Sequence, residues 1–180
     1  MNIKKELSRA IGAIYKTRDI LPTWLKIQLS YTLFYQKLYY CFLVWGTTCK
    51  TNYNGLISLQ QRIIRIVASA KYDSNADELL EKFNILPLNR LYHYKLGQLV
   101  HAKGINSFDL IPSNLTDYNL RAKSAYKLPR TRTNYGNQKI SFQVPQLLNA
   151  LGNHVLLAGT TGAFKKQLRS FLVKHEIRIM

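Results

Sequence analysis

The run from Ile20 to Gly46 constrains this 180-residue chain more than any other stretch. It is the most apolar and aromatic part of the sequence, opens on Pro22 and closes on Gly46. Proline suits the first turn of a helix, where its missing N–H is not needed. Leu25, Leu29, Phe34, Leu38 and Phe42 follow at helical spacing, and Tyr31, Tyr35 and Tyr39 make a second stripe four residues apart. The spacing predicts one long helix from about Pro22 to Trp45, ended by Gly46-Thr-Thr. A helix apolar around most of its circumference needs neighbours on several faces. Ile27 to Cys49 is also about long enough to span a bilayer. Gln28, Gln36 and Lys37 fall inside it, however, and a Lys near a bilayer centre costs about 3 kcal/mol. The stretch is therefore read as the core of a folded domain with no membrane partner.

The rest of the chain supplies the neighbours. Ile3, Leu7, Ala10, Ile11 and Ile14 form one face of an amphipathic helix over residues 3–17. It starts almost at Met1, which places the expected natural boundary upstream. Leu56, Leu59, Ile63, Ile66 and Val67 predict a helix from about Asn54 to Ala70, with Gln60, Gln61, Arg62 and Arg65 on its polar side. A short acidic helix over Ala76–Phe83 and another from about Pro87 to Ala102 follow, the latter stopped by Gly104. Leu88, Leu91, Tyr92, Lys95, Leu96 and Leu99 are its expected inward face. Lys139 to Val144 alternates apolar and polar residues, as a short strand would. Pro145 then opens a short helix ended by Gly152, and Thr160 or Thr161 caps a closing helix with Phe164, Leu168, Phe171 and Leu172 facing in. The expected class is mainly α: a helical bundle of six or seven helices with a basic loop-rich segment and at most a short strand pair. A change of composition divides it into a helical region, 1–112, and a basic segment with C-terminal helices, 113–180.

Charge narrows the partner. Lys and Arg number 26 against 9 Asp and Glu, a formal +17, so the chain is expected to meet an anion, with RNA or DNA the commonest for a folded intracellular domain. No carboxylate occurs between Asp19 and Asp73, or between Asp117 and Glu176. Between Asn114 and Lys139, Arg121, Lys123, Lys127, Arg130, Arg132 and Lys139 alternate with Tyr118, Tyr126 and Tyr135, a mixture that suits a phosphate backbone and unstacked bases. Lys165, Lys166 and Arg169 on the closing helix form a second patch, and Arg62 and Arg65 are further candidates for phosphate contact.

Catalytic and metal chemistry find little support. There is no Gly-rich phosphate loop, no Ser-centred elbow and no paired carboxylates of the kind that hold two metal ions. Asp73, Asp77, Glu78 and Glu81 read as a solvated acidic helix start. Cys41 and Cys49 lack the partners of a zinc site and are expected to be buried reduced thiols, as are common inside cells. His93 and His101 are expected to be surface or satisfied histidines. The N-terminus has no apolar run of the secretory kind, so the expected location is intracellular, nucleus or cytoplasm, and not secreted.

The order of several segments resembles a known family. Ile11-Gly-Ala-Ile-Tyr-Lys-Thr-Arg18, Leu21-Pro22, Tyr40 with Val44-Trp45-Gly46-Thr47, Leu59-Gln60-Gln61-Arg62 and Ile64-Arg65 come first. Phe83-Asn-Ile-Leu-Pro-Leu88, Leu91-Tyr-His-Tyr-Lys-Leu96, Arg130-Thr-Arg-Thr-Asn-Tyr-Gly136 and Phe164-Lys-Lys-Gln-Leu-Arg-Ser-Phe-Leu172 follow. Together they resemble the region C-terminal to the palm in reverse transcriptases of jockey-like non-LTR retrotransposons. Two departures stand out. Leu148-Asn149 and Leu151-Gly152 replace the family's Trp-Asn before Leu-Pro, and the Ala-Asp-Asp palm turn is absent. The resemblance implies a thumb and post-palm helical region that holds RNA or DNA primer-template without catalysing. It implies no cofactor in this chain, Mg²⁺ being expected only in the absent palm, and an upstream palm of the same polyprotein as a partner. The alternative expectation is a stand-alone α-helical protein-interaction module with no nucleic-acid role.

Overall fold

A computed structural model describes residues 3–47, 50–113, 125–156 and 160–174. The chain divides into two compact units, Met1–Leu91 and Tyr92–Met180. The compositional boundary at 112/113 is a different division, inside the second unit. Both units are helical, and among the described residues the β pairing is an isolated antiparallel bridge between Pro112 and Tyr126.

In the first unit, α1 (Ile3–Lys16) packs on α5 (Lys50–Val67) and on the segment formed by α2 (Thr23–Ser30), a π turn (Tyr31–Tyr35) and α3 (Gln36–Tyr39). Leu7, Ala10, Ile11 and Ile14 of α1 are buried as their spacing demands. Burial of an aliphatic side chain of this size stabilises by about 1.5–3 kcal/mol. Glu6 on the same helix accepts from Arg9 at 2.8 Å and from Lys37 of α3 at 3.0 Å. The Lys37 contact, followed by its charge and by Arg9, holds the Glu6 carboxyl below its ordinary range.

The long central helix of the sequence reading is broken. Its first half buries Lys26 and Ser30 and leaves Leu25 and Leu29 half-buried, and its second half buries Phe34, Tyr35 and Leu38. Residues 26, 30, 34 and 38 are spaced by four, and in a regular α-helix each such step turns the face by about 40°. The π turn winds more widely and rotates the later residues back toward the same side. The helix then ends at Tyr40, Cys41 takes a left-handed conformation (φ 50°), and α4 (Phe42–Trp45) begins. Trp45 Nε1 donates to Tyr40 O at 2.8 Å across that break. Cys41 is exposed, contrary to the expectation of a buried thiol, because the break turns it outward; Cys49 lies outside the described residues.

Gln60 is the larger surprise on α5. Expected on the polar side, it is 1% exposed, and its amide grips the connector that follows α6 (Ala76–Lys82). Nε2 donates to Leu86 O at 3.0 Å, and Oε1 accepts from Leu88 N at 2.8 Å. Tyr53 Oη donates to Leu88 O at 2.7 Å beside it. An irregular segment can be buried only when its backbone groups are satisfied, and these two side chains satisfy them.

Lys26 follows the same logic. Its side chain is buried, and Nζ donates to Arg18 O at 3.1 Å and Ser69 Oγ at 2.6 Å. Those partners lie just past the C-terminal ends of α1 and α5, where partial negative charge collects. The acidic helix α6 is capped by Asn75, whose side chain accepts from Asp77 N at 3.0 Å and donates to Glu78 at 2.9 Å.

The second unit contains most of α7 (Leu88–Lys103), a short 3₁₀ turn (Ile105–Ser107), α8 (Asn134–Asn137), α9 (Ile140–Leu156) and α10 (Thr161–Lys174). On α7, Tyr92 and Leu96 are buried, whereas Lys95 and Leu99 are only half-buried. Gly97 admits α10 closely, since a methyl there would meet Leu168 Cδ2 at 2.6 Å. His101 stacks on Phe164 with ring centroids 4.3 Å apart, and His93 is buried edge-on to Tyr92. His93 is thus in the core, whereas half-buried His101 packs through its stack on Phe164.

The strand expected over residues 139–144 is absent; this stretch is the first part of α9, which starts at Ile140 and continues past Gly152 to Leu156, with Pro145 inside it. Phe142, Gln143, Val144, Leu147, Leu148 and Leu151 are all buried. A helix enclosed on most of its faces carries no amphipathic period, so the alternation of its first residues mimics a strand. The closing helix matches its pattern: Phe164, Leu168 and Leu172 are buried, Phe171 is half-buried, and Thr160 Oγ1 accepts from Ala163 N at 3.3 Å. Among the described residues, no helix is long and apolar enough to cross a membrane.

Gln60→Ala is expected to destabilise the first unit by about 2–4 kcal/mol, because it strands two buried backbone groups. Urea unfolding read by the first unit's Trp fluorescence measures it. A second expectation concerns alkali. Burial raises the phenol of Tyr35, though the Gln60 amide opposes the shift, and burial pushes that of Tyr92 up to about 12. Above pH ~10 the unfolded chain gives up these protons while the native chain keeps them. Their contribution is therefore full below pH ~10 and falls as pH rises toward 12. Unfolding series at pH 8 to 12 on Tyr35→Phe and Tyr92→Phe should show a shallower alkaline loss than the parent chain.

Candidate nucleic-acid interface

Thirteen of the 26 Lys and Arg, but only three of the nine Asp and Glu, fall in residues 92–180, a formal +10 of the chain's +17. Of those three, Asp109 is the one among the described residues. Among the described residues of this unit, Asp109 is thus the one side-chain carboxylate with which its cations could pair.

The basic segment is less loose than its composition suggests. Ser113 N donates to Ala125 O at 3.0 Å and Lys127 N to Ile111 O at 2.9 Å, so residues 111–113 run beside 125–127. Asn149 of α9 then grips Tyr126 at both backbone groups, accepting from its N–H at 2.9 Å and donating to its carbonyl at 2.8 Å. Five residues on, the Thr131 hydroxyl meets Asn137 Oδ1. Thr133 caps α8 by accepting from Gly136 N at 3.3 Å. A side chain at Gly136 would strike Thr131, its Cβ lying 2.7 Å from Thr131 Cβ. Gln143 Nε2 closes the structure from α9 by donating to Asn137 O at 2.6 Å. The stretch from Tyr126 to Asn137 is therefore anchored at both ends on α9 and α8.

Lys127, Arg130, Arg132 and Lys139 are exposed along this stretch, and among the described residues none of them makes an ion pair. Arg121 and Lys123 lie outside the described residues. Lys165 and Lys166 are exposed on α10, and Arg169 beside them is half-buried. Lys95 of α7, half-buried, is lowered in pKa first by desolvation and then by the charge of Lys165. Two ammonium groups thus raise the local potential together.

Arg62 and Arg65 belong to the first unit. Arg62 is exposed. Arg65 is engaged within its own unit: Nε donates to Ser74 O at 2.9 Å, and the guanidinium lies 5.9 Å from the Tyr72 ring centre. Asn137, Gln143 and Asn149, which shape the site, were not among the residues singled out by charge. For Gln143 and Asn149 a polar residue in an otherwise apolar run was the one signal in the sequence, and Asn137, in a polar stretch, had none. Among the described residues no group of three or more His, Cys, Asp or Glu is placed to hold a metal ion.

Comparisons with protein-family models, with curated proteins and with solved structures returned no match. The geometry and charge of the site therefore carry the functional argument.

Asn149→Ala is expected to release the Tyr126 backbone and loosen residues 125–133 while α9 stays folded. Limited trypsin digestion checks this: cleavage after Lys127 and Arg130 should accelerate at least tenfold in the variant.

Proposed function

We propose that this chain holds nucleic acid without catalysing, as the thumb and post-palm helical region of a non-LTR retrotransposon reverse transcriptase would hold primer-template. The observation that carries the reading is the exposed row Lys127, Arg130, Arg132 and Lys139, fixed on an anchored segment in a unit whose described residues include a single carboxylate. Side chains presented in this way exchange condensed counterions for contacts to phosphates, which supplies most of the affinity of nucleic-acid binding independent of sequence. Lys165, Lys166 and Arg169 on α10 are a second group of cations in the same unit. Arg62, exposed in the first unit, is a separate candidate for phosphate contact, whereas Arg65 donates to Ser74 O within that unit. The ordered resemblance of the segments to the reverse transcriptase region supports the same reading. The absence from the sequence of adjacent palm carboxylates supports a role without phosphoryl transfer. RNA or DNA, and an upstream palm of the same polyprotein, are the partners this implies, in nucleus or cytoplasm.

A second reading is a helical protein-interaction module. It is favoured by the first unit's exposed apolar side chains, notably Ile20, Trp24, Tyr40 and Val44. Its affinity for a protein partner would not depend on the Arg130 and Arg132 charges.

Binding of a labelled oligonucleotide should fall steeply with salt, each neutralised phosphate adding about 0.7–0.9 to the slope of log affinity against log salt. Arg130→Glu with Arg132→Glu should weaken binding at least tenfold and flatten that slope. Affinity unaffected by salt between 50 and 200 mM, or by the double reversal, refutes the nucleic-acid reading; retention of a protein partner by the reversed chain supports the second.

A further inference from the structure

Three tyrosines alternate with the basic residues of 114–139. Tyr118 lies outside the described residues, and Tyr126 is half-buried, its backbone gripped by Asn149. Tyr135 faces solvent, 80% exposed. Packing gives no reason for an aromatic ring there, since its removal would leave no cavity. Its backbone is nevertheless held firmly by the Thr133 cap, by Gly136 against Thr131, and by the contacts of Asn137 with Thr131 and Gln143. Arg132 precedes the ring by three residues and Lys139 follows it by four, both exposed. Exposed cations thus flank, along the sequence, a solvent-facing aromatic ring whose backbone is held. A duplex keeps its bases stacked inward and offers such a site only phosphates. A single strand offers phosphates and a free base face together.

The geometry points to Tyr135 as a base-stacking position, so that this site takes single-stranded nucleic acid, with one unstacked base on the Tyr135 ring and the flanking phosphates on Arg132 and Lys139. The inference rests on the nucleic-acid reading above and adds the class of ligand to it. Stacking of this kind tolerates any base, because every base has a π face. The site is therefore expected to discriminate strandedness rather than sequence.

Fluorescence anisotropy on the full chain tests it with three labelled probes of equal length: a single-stranded oligonucleotide, an abasic strand with the same phosphates, and a duplex. The single strand should bind about tenfold more tightly than the abasic strand. Tyr135→Ala should erase that difference while leaving abasic affinity unchanged, and Tyr135→Phe, which keeps the π face, should preserve it. Thermal melting of both variants should match the parent, since the ring is exposed. Equal weakening of both strands by Tyr135→Ala, no preference of the parent chain for bases, or a duplex bound as tightly as the single strand overturns the stacking assignment and leaves nucleic-acid holding in place. Failure of the parent chain to bind any of the three overturns both.

Discussion

Gln60 reaches from the buried side of α5 and satisfies the backbone at Leu86 and Leu88 with the two ends of one amide. The same two-ended grip recurs at Asn149 on Tyr126, and a one-ended form at Gln143 on Asn137. Irregular backbone needs hydrogen-bond partners wherever it meets a core, and a carboxylate supplies acceptors only. An amide supplies a donor and an acceptor a short distance apart and carries no charge to desolvate. In a chain with only nine carboxylates these three connections are made by neutral amides. Even buried Lys26 finds a carbonyl and a hydroxyl near helix ends instead of an ion-pair partner.

This economy of carboxylates has an electrostatic result. Ion pairs seen among the described residues, Glu6 with Arg9 and Lys37 and Asp19 with Arg18, all fall in the first unit. Among the described residues no ion pair is seen for the exposed Lys127, Arg130, Arg132 and Lys139 of the second unit, and the Lys95 pKa is lowered first by burial and then by the charge of Lys165. Fastening the basic segment with Asn149 and Gln143 fixes its shape without neutralising the side chains it displays. Acidic side chains at the same places could not donate to the Tyr126 and Asn137 carbonyls and would have set negative charge beside the cations.

Helices whose apolar residues lie on one face were legible in the sequence. The buried face of α1 and that of α10 follow directly from their spacing, and Gly104 marks the end of α7. Three features were not legible, each for a physical reason. The strand-like alternation at 139–144 belongs to a helix enclosed on most sides, where period carries no information. Gln60 was assigned to the polar side of its helix by residue type, and the burial of Lys26 left no signal, because a buried polar side chain is stabilised by distant groups that no local window contains. The break at Cys41 depends on a left-handed residue that is not a glycine, with Trp45 bonding back across it. At the site, composition located the basic residues, but which of them share a unit depends on the fold. Arg62 and Arg65 were grouped with the others by charge alone. The anchoring amides left only the weak trace of a polar residue in an apolar run.

Rigidity at the site bears on how well exposed cations can bind. A flexible basic loop loses conformational freedom when it closes on a polyanion, and ordering a long side chain costs about 0.5–1.5 kcal/mol. Between Tyr126 and Asn137 the backbone share of that cost is already met in the folded chain, because α8 and α9 define both ends of the segment. Lys127, Arg130 and Arg132 need only settle their own side chains. The same anchoring holds the backbone at the exposed Tyr135 before any ligand arrives, through the interlocked Thr131, Gly136 and Asn137, so that a base stacking on its ring would leave only the side chain to be ordered.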